Sequence, residues 1–356
     1  EKKLPGGAAA VALDPRNGNV LALVSFPGFD NNAFVDGIAQ DAFKALIENP
    51  QQHLFHRAIA GEYPAGSTFK PIVAAAALEE KIIDEHTTFQ STGGIHVNQF
   101  FFPDWKAGGH GTTDILKALA ESVNTFFYRI GGGDNETTTG LGVDRIISYA
   151  KKFGLGTPTG IDLPSEADGF LPTPTWKEEF KNESWYIGDT YHLAIGQGDI
   201  LVTPLQVAYY TSIIANRGFA YRPHVLKSIT KPNGENVEIE TPVRQNENIV
   251  STKNINIVAA GLREAVLHGS AQRLKTLPVT AAGKTGTAQF GSDGKTHSWF
   301  TVFAPYENPE IVLTILVEEG GEGNDAALRA LLKAQPIEQL VVSGRHHVDD
   351  LTAAFI

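Results

Sequence analysis

The chain has 356 residues, of which 42% are hydrophobic and 19% are charged, which is enough apolar material for one large domain or two ordinary ones. Its formal net charge is −11 without any block of lysines or arginines, which argues against nucleic-acid binding. The lack of cysteine excludes disulfides and thiolate–zinc sites, and no apolar run approaches the roughly 18 residues of a membrane span. Because the chain opens at Glu1 without an apolar leader, we expect a segment excised from a longer protein.

Two strands and a buried helix are predicted in the first part of the chain. Ala8–Leu13 and Val20–Ser25 flank the turn sequence DPRNGN, which predicts a β-hairpin. A glycine-containing turn then precedes a helix that is apolar all round over Ile72–Leu78, a pattern typical of a buried helix. Since Pro71 lacks an N–H and fits only a first helical turn, this helix cannot start much before Ser67.

The middle of the chain is predicted to be helical, and the last part returns to strands. Helical patterns lie between glycine and proline breaks from about residue 112 to 220, at Thr113–Ala120, Thr125–Ile130, Val143–Phe153 and Pro204–Asn216. Strand patterns return from Tyr221, with three strands expected within Val279–Phe290 and His297–Glu319. The stretch Asp325–Val342 is again predicted to be helical.

These patterns predict an α+β fold. Strands at both chain ends with helices between them fit an antiparallel sheet built from both ends, with an inserted helical lobe. We expect one domain over 1–356, in which strands 8–25 and about 221–318 form the sheet lobe and about 67–220 form the mostly helical lobe. Residues 322–356 are expected to form a C-terminal helix and tail whose placement the sequence leaves open. The active site of such a fold is expected at the seam between the lobes.

Ser67 and Lys70 form an S-x-x-K pair at the start of the predicted buried helix. Residues three apart share a helix face, so Lys70 can reach the Ser67 hydroxyl, and the N–H groups of a helix start favour an oxyanion there. Lys70 can act as a base only when neutral, and lowering its pKa from about 10.4 to near 7 requires roughly 4–5 kcal/mol of destabilisation of the ammonium. Three further S-x-x-K sequences begin at Ser148, Ser228 and Ser292, but only Ser67 follows a glycine turn and opens a buried helix. The alternative for Ser67 is a simple N-cap serine.

Ser122 and Asn124 form the only S-x-N sequence in the chain. In a loop or extended segment both side chains can point into one cleft. There Ser122 would relay a proton between Lys70 and a leaving amine, and Asn124 would hold a substrate amide. The alternative is an N-cap pair before Phe126, since about one S-x-N is expected by chance at ordinary composition.

The K-T-G-T sequence at Lys284, Thr285, Gly286 and Thr287 is more specific, because K-T-G is expected by chance in roughly one chain in ten of this length. Glycine is unfavourable in a strand unless something approaches the backbone closely, and a peptide laid along an exposed strand edge does so. Lys284 and the two threonine hydroxyls would supply a cation and hydrogen-bond donors for a carboxylate. The alternative is a solvated strand lysine beside a glycine bulge.

The order S-x-x-K, S-x-N, K-T-G is the motif set of class A β-lactamases and penicillin-binding proteins, with valine here in place of the aspartate of S-D-N. The sequences YPAGSTFKP, ESVNTFFY, KFGLGTPTGIDLPSEADG, AIGQGDILVTPLQVA and AGKTGTAQ resemble class B penicillin-binding proteins, most closely the elongation-specific group often called penicillin-binding protein 2. The resemblance covers about residues 6–320. It implies a β-lactamase/transpeptidase-like fold and a peptidoglycan D,D-transpeptidase of cell-wall synthesis and cell-shape maintenance, which β-lactams acylate.

The resemblance also implies roles for the motif residues. Ser67 would be the nucleophile that D-Ala-D-Ala stem peptides acylate, and Lys70 its general base. Ser122 and Asn124 would form the second catalytic motif. The backbone N–H groups of Ser67 and Thr287 would form the oxyanion hole, which is typically worth about 3–4 kcal/mol per donor.

By the same resemblance, catalysis includes Lys284, and substrate or β-lactam binding falls to Asn124, Lys284, Thr285, Gly286 and Thr287. No cofactor is required. The family implies a periplasmic domain of a protein anchored in the cytoplasmic membrane, a non-catalytic pedestal domain and a SEDS-family glycosyltransferase partner. The tail from Glu322 departs from the family pattern.

Two further groups of polar residues are candidates for a functional role. Some relatives hold a metal near the segment of His96, Asp104 and His110, but the cysteine ligand that they use is missing, so a hydrogen-bonded loop is expected instead. Glu166 would serve as a hydrolytic base in a β-lactamase, but a carboxylate in a Pro-Ser-Glu turn is usually solvated. Motifs alone do not separate a transpeptidase from a D,D-carboxypeptidase, a β-lactamase or a β-lactam sensor with the same acyl-enzyme. The resemblance over the whole domain favours transfer to an acceptor amine.

Overall fold

The two ends of the described chain meet in a five-stranded antiparallel sheet. The computed structural model describes residues 6–134, 138–239, 241–291, 293–323 and 326–333. Within these residues the strands, numbered in chain order, are β1 (Ala8–Leu13), β2 (Val20–Phe26), β3 (Phe89–Ser91), β4 (Gly94–Val97), β5 (Phe100–Pro103), β6 (Gly111–Thr113), β7 (Ala220–Tyr221), β8 (Ser228–Thr230), β9 (Asn236–Ile239), β10 (Arg244–Gln245), β11 (Ala282–Phe290), β12 (Lys295–Ala304) and β13 (Ile311–Val317). The large sheet has the order β11–β12–β13–β1–β2, and the other strands pair as two-stranded ribbons.

Most of the helices lie between the two groups of sheet strands. Over the same described residues they are α1 (Gln40–Ile47), α2 (Arg57–Ala60), α3 (Lys70–Glu79), α4 (Ile115–Glu121), α5 (Asn124–Gly132), α6 (Gly142–Lys152), α7 (Pro174–Lys181), α8 (Ile187–Ala194), α9 (Pro204–Ala215), α10 (Thr252–Leu267) and α11 (Ala326–Lys333). Short 3₁₀ turns cover Asn31–Phe34, Gly66–Phe69 and Gln272–Thr276. In the part of the chain that the structure describes, no helix has the length and apolarity that crossing a membrane would require.

Helices cover both faces of the large sheet. Successive side chains of a strand point to opposite faces. Alternate residues of β1 accordingly belong to two hydrophobic clusters, Ala9, Val11 and Leu13 to one and Ala8, Ala10 and Ala12 to the other. Helix α9 contributes to the first cluster and packs on β1, β12 and β13, whereas α11 contributes to the second and packs on β12 and β13. Burial on both faces explains why β1 is apolar throughout rather than alternating.

Helix α3 lies among other helices and carries the predicted nucleophile to the edge of the sheet. All residues from Lys70 to Leu78 are buried, and α3 contacts α4, α5, α6 and α10. Pro71 occupies the first turn of the helix, as the sequence predicts. The preceding 3₁₀ turn Gly66–Phe69, here called the Ser67 turn, contacts β11 and so lies where helices and sheet meet.

The α+β prediction and the antiparallel sheet built from both ends are confirmed, as are the β1–β2 hairpin, the three C-terminal strands and helices α4, α5, α6 and α9. The predicted return to strands after Tyr221 is wrong for Thr252–Leu267, which is a 16-residue helix. Its buried apolar residues recur at spacings of three and four, which is a helical period. Of the predicted helix Asp325–Val342, residues 326–333 form α11 and the remainder lies outside the described residues.

Candidate active site

The Ser67 turn fits between two other backbone segments because glycines line its contacts. Gly66 has φ +55°, and a Cβ there would lie 2.8 Å from the Thr287 carbonyl oxygen. The Gly66 N–H donates to the Gly196 carbonyl oxygen at 2.7 Å, and a Cβ on Gly196 would lie 2.0 Å from the Gly66 oxygen. The turn therefore packs directly on β11 and on the segment after α8. Ser67 itself is half-buried and lines a cleft of about 580 Å³.

Lys70 follows Ser67 by three residues and is fully buried. Its Nζ donates to the Ser122 carbonyl oxygen at 2.8 Å, to Ser122 Oγ at 3.2 Å and to Asn124 Oδ1 at 2.6 Å. Burial lowers the pKa of Lys70 to about 7, and the Asp104 carboxylate opposes this shift. A substantial share of the amine is therefore neutral near pH 7. Among the described residues, the hydrogen bonds of Nζ join Lys70 to the second motif rather than to Ser67 Oγ.

Ser122 and Asn124 come together at the junction of α4 and α5. Ser122 is the C-cap of α4 in the left-handed conformation, with φ 59° and ψ 42°, and Asn124 is the first residue of α5. The break between the helices lets two residues only two apart in sequence face the same amine. The structure thus brings the first and second predicted motifs into direct contact.

The K-T-G-T residues lie on β11, an edge strand of the large sheet that contacts the Ser67 turn. Thr285 and Thr287 line the same cleft as Ser67. Gly286 lies against the turn, because a Cβ there would be 2.9 Å from Thr68 Cγ2. All three predicted motifs therefore meet at one cleft.

Lys284 is fully buried and does not line the cleft. Its Nζ donates to the Thr285 carbonyl oxygen at 3.0 Å. Burial, together with the charge of Lys70, lowers the pKa of Lys284 well below its ordinary value. Lys284 would thus act on a ligand only indirectly, through its hydrogen bond to Thr285 or through its electrostatic interaction with Lys70.

The backbone of Thr287 faces the open edge of the sheet. Its carbonyl oxygen accepts from Gln197 Nε2 at 3.4 Å and lies next to Gly66, so it points away from β12. The N–H and C=O of one residue in an antiparallel strand point to the same side. The Thr287 N–H therefore also points toward the Ser67 turn, which is the direction that an oxyanion-hole donor needs.

Sequence reasoning missed several residues that line the cleft, among them Trp105, Tyr128, Gln197, Ser270 and Glu322. Ser270 Oγ accepts a hydrogen bond from Thr285 Oγ1 at 2.8 Å, and the Ser270 N–H donates to the Ala120 carbonyl oxygen at 3.0 Å. Ser270 follows α10, in a region where the sequence predicts strands. Tyr128 and Gln197 lie in sequences that carry the family resemblance, but none of these positions belongs to the three catalytic motifs.

Asp104 lines the cleft and lies next to His110, but the described residues around them do not fit a metal. His110 Nδ1 is 2.6 Å from Glu121 Oε2, and its Nε2, which has no hydrogen bond, is 3.4 Å from Asp104 Oδ1. Asp104 Oδ2 accepts from the N–H and the hydroxyl of Thr125. His96 packs instead on Phe101, with ring centroids 4.7 Å apart. A metal at His110 Nε2 would have only His110 and Asp104 as ligands, because Glu121 lies at Nδ1 on the other side of the ring. Two ligands are too few for a zinc site, and no group of three metal-ligating residues occurs among the described residues.

The remaining candidates that the structure describes lie outside the cleft. Glu166 accepts from the N–H and hydroxyl of Thr159 and from the N–H of Gly160, so its carboxylate stabilises a turn. Ser148 is exposed on α6, and Ser228 is exposed on β8. Ser292 lies outside the described residues.

The sheet topology and the meeting of three motifs at its edge define the class of β-lactamase/transpeptidase folds. Residues 8–335 match the family described as penicillin binding protein transpeptidase domain. The chain therefore belongs to the family of penicillin-binding protein transpeptidase domains.

Relatives of known name support this membership. The chain is 37% identical over 340 residues to the peptidoglycan D,D-transpeptidase MrdA of Haemophilus influenzae, a match that covers 90% of this chain and 51% of that protein. It is 36% identical over 343 residues to MrdA of Escherichia coli, covering 91% of this chain and 53% of that protein. The chain thus spans about half the length of the curated relatives it matches.

Solved structures share the fold. Penicillin-binding protein 2 of Pseudomonas aeruginosa, in complex with WCK 5153, has a TM-score of 0.83 and 31% identity over 96% of this chain and 75% of that chain. The same protein from Helicobacter pylori, in complex with MreC, has a TM-score of 0.82 and 33% identity over 95% and 61%. Penicillin-binding protein A of Mycobacterium tuberculosis, as a ceftriaxone acyl-enzyme, has a TM-score of 0.77 and 27% identity over 98% and 74%. The predicted fold and the resemblance to the penicillin-binding protein 2 group are confirmed.

Proposed function

We propose that this chain is a peptidoglycan D,D-transpeptidase domain that forms an acyl-enzyme on Ser67 and passes the acyl group to an acceptor amine. The observation that carries the proposal is the contact of Lys70 Nζ with both Ser122 and Asn124 next to the cleft that Ser67 lines. A buried amine with a pKa of about 7 can take a proton at neutral pH. The name of the Haemophilus influenzae relative gives the reaction and substrate class.

In this mechanism, Ser67 Oγ attacks the carbonyl carbon between the two D-alanines of a stem peptide while neutral Lys70 takes the hydroxyl proton. The negative charge on the carbonyl oxygen is held by the backbone N–H groups of Ser67 and Thr287. Terminal D-alanine leaves with a proton relayed from Lys70 through Ser122 Oγ, which lies 3.2 Å from Nζ. The acceptor amine then attacks the ester carbonyl, loses a proton to the same relay and restores the Ser67 hydroxyl.

The residues of the third motif would bind the substrate or a β-lactam. Thr285 and Thr287 line the cleft and carry hydroxyls for a ligand carboxylate, and Gly286 keeps the strand close to the Ser67 turn. Asn124 would hold the substrate amide. Lys284 contributes to catalysis indirectly, because it is buried and interacts electrostatically with Lys70.

The cellular setting is part of the same proposal. We place the domain, residues 1–356 with its sheet and helical lobes, on the outer side of the cytoplasmic membrane, where peptidoglycan is cross-linked. The membrane anchor, the pedestal domain and a SEDS-family glycosyltransferase partner would belong to the full-length protein. The greater length of the relatives and the complex of the Helicobacter pylori protein with MreC support this organisation.

The proposal is tested by labelling with a fluorescent penicillin. Wild type and Ser148→Ala, which changes an exposed serine of another S-x-x-K sequence, should be labelled equally, whereas Ser67→Ala should not be labelled. Intact mass over several hours should show a persistent adduct, and a D-Ala-D-Ala peptide with an added amine should give the amide product. Labelling of Ser67→Ala would overturn the nucleophile, and rapid loss of the adduct would indicate a β-lactamase. The position of Glu166 argues against the latter, because its carboxylate stabilises a turn outside the cleft.

A further inference from the structure

The loop after β13 reaches back to the K-T-G-T strand and places a carboxylate at the cleft. Glu322 is exposed and lines the cleft together with Ser67, Thr285 and Thr287. The Thr287 hydroxyl donates to Glu322 Oε2 at 3.3 Å and accepts from the Gly323 N–H at 3.0 Å. A hydroxyl has only one proton to donate. The proton that Thr287 would offer to a ligand carboxylate is therefore directed at Glu322.

The backbone of this loop is held in place, so Glu322 stays near Thr287. Ser298 Oγ donates to the Glu322 carbonyl oxygen at 3.0 Å and accepts from the Ala327 N–H at 3.0 Å. Gly323 packs on the motif itself, because a Cβ there would lie 2.2 Å from the Gly286 carbonyl oxygen.

Little positive charge in the cleft offsets the Glu322 carboxylate. Among the described residues that line the cleft there is no lysine or arginine, and Asp104 and Glu121 are also acidic. Lys284 is buried and donates to a backbone carbonyl. By contrast, Thr285 donates to Ser270 Oγ, and the Ser270 hydroxyl has no hydrogen-bond acceptor among the described residues, so its proton can be donated to a ligand.

We infer that Glu322 is a specificity-determining residue, which competes with a ligand carboxylate for the Thr287 hydroxyl and so shifts carboxylate recognition toward Thr285 and Ser270. This inference rests on the proposed function, since the ligand is the stem peptide or β-lactam that acylates Ser67. Repulsion between two unit charges about 4 Å apart in water corresponds to roughly a fivefold change in rate. Glu322 therefore slows acylation by carboxylate-bearing ligands relative to neutral ones.

The test compares wild type, Glu322→Gln and the matched control Glu319→Gln. Glu319 lies in the same loop and carries the same charge, but it pairs with Lys295 at 3.0 Å and does not line the cleft. Second-order acylation rates are measured with benzylpenicillin and with its methyl ester. We expect Glu322→Gln to react about fivefold faster than wild type with the acid and equally fast with the ester, and Glu319→Gln to match wild type with both.

The outcomes separate this inference from the proposed function. Equal rates of Glu322→Gln and wild type with benzylpenicillin would overturn the inference. So would an equal gain with acid and ester, or an equal gain in Glu319→Gln. Absence of a Ser67 adduct in every variant with both compounds would instead overturn the proposed function.

Discussion

Burial of the Lys70 ammonium is the physical basis of the chemistry proposed at the cleft. Desolvation disfavours the charged form of an amine, and Lys70 is fully buried, which lowers its pKa to about 7. Burial, and after it the charge of Lys70, lowers the pKa of Lys284. Asp104, which holds the first turn of α5 through Thr125, acts in the opposite direction on Lys70. Lys70 is therefore expected to act as a base at and above about neutral pH.

Acylation of Ser67 should become faster as the pH rises through about 7. Below this pH, Lys70 is protonated and cannot accept the hydroxyl proton, whereas above it the neutral amine predominates. Lys70→Arg keeps a cation that does not lose its proton at any usable pH, so its rate should be lower by at least about 100-fold throughout. The measurement is the second-order rate of penicillin acylation against pH, with folding checked by circular dichroism. A near-wild-type rate in Lys70→Arg would assign the base to another group.

At the scale of elements, the site depends on how closely β11 approaches the Ser67 turn. Both segments contribute backbone groups to the proposed oxyanion hole, so their separation sets its width. A Cβ on Gly286 would lie 2.9 Å from Thr68 Cγ2 and 3.0 Å from Trp299 Cβ. Neither neighbour can move easily, because Thr68 and Trp299 are themselves buried. The glycine of K-T-G is therefore required by the packing of the strand.

Gly286→Ala should separate β11 from the Ser67 turn and slow acylation by about tenfold or more, because small displacements of catalytic groups have large effects on rate. Overpacking should also lower the free energy of unfolding by about 1–3 kcal/mol. The control is Gly28→Ala, whose Cβ would meet only the Ser25 carbonyl oxygen, at 3.6 Å. Acylation rates and thermal melts are measured for both variants, and only Gly286→Ala should show slower acylation and lower stability. Wild-type acylation by Gly286→Ala would show that the strand tolerates a side chain at this position.

The elements also show what the sequence could and could not predict. Local patterns sufficed for β1, β2, α3 and the three motifs, because spacing and turn chemistry act over a few residues. Helix α10 was not predicted, since its β-branched residues favour strands locally and its glycine disfavours a helix, although its apolar residues recur at a helical spacing. Ser270 and Glu322 could not be predicted, because they reach the cleft only through long-range contacts with Ala120, Thr285 and Thr287. Burial of Lys284 likewise depends on tertiary packing.

Across the whole molecule, a largely buried ion pair links the strands β1 and β13 to the segment that leads to the active site. Glu318 follows β13, and β13 pairs with β1. Its carboxylate accepts from Arg57 Nε at 2.9 Å, from the Tyr63 hydroxyl at 2.7 Å and from the Gly7 N–H at 2.8 Å. Tyr63 lies three residues before the Ser67 turn. One carboxylate thus connects β1, β13, α2 and the segment that leads to the nucleophile.

Glu318→Leu should lower the free energy of unfolding by about 3–5 kcal/mol, because it leaves the Arg57 guanidinium buried without its counter-charge. The side chain of Arg57 is only 4% exposed and that of Glu318 only 20%. In the double variant Arg57→Met/Glu318→Leu the unpaired charge is gone, so its loss of stability should be smaller than the sum of the two single losses. The exposed neighbouring pair of Lys295 and Glu319 is the control, and Glu319→Gln should change stability by less than about 1 kcal/mol. Denaturant unfolding is measured for wild type, Arg57→Met, Glu318→Leu, the double variant and Glu319→Gln. Comparing the double variant with the two single variants gives the coupling free energy between Arg57 and Glu318. Additive losses of Arg57→Met and Glu318→Leu would mean that the two charges do not stabilise each other, and that the chain ends are held by β1–β13 pairing alone.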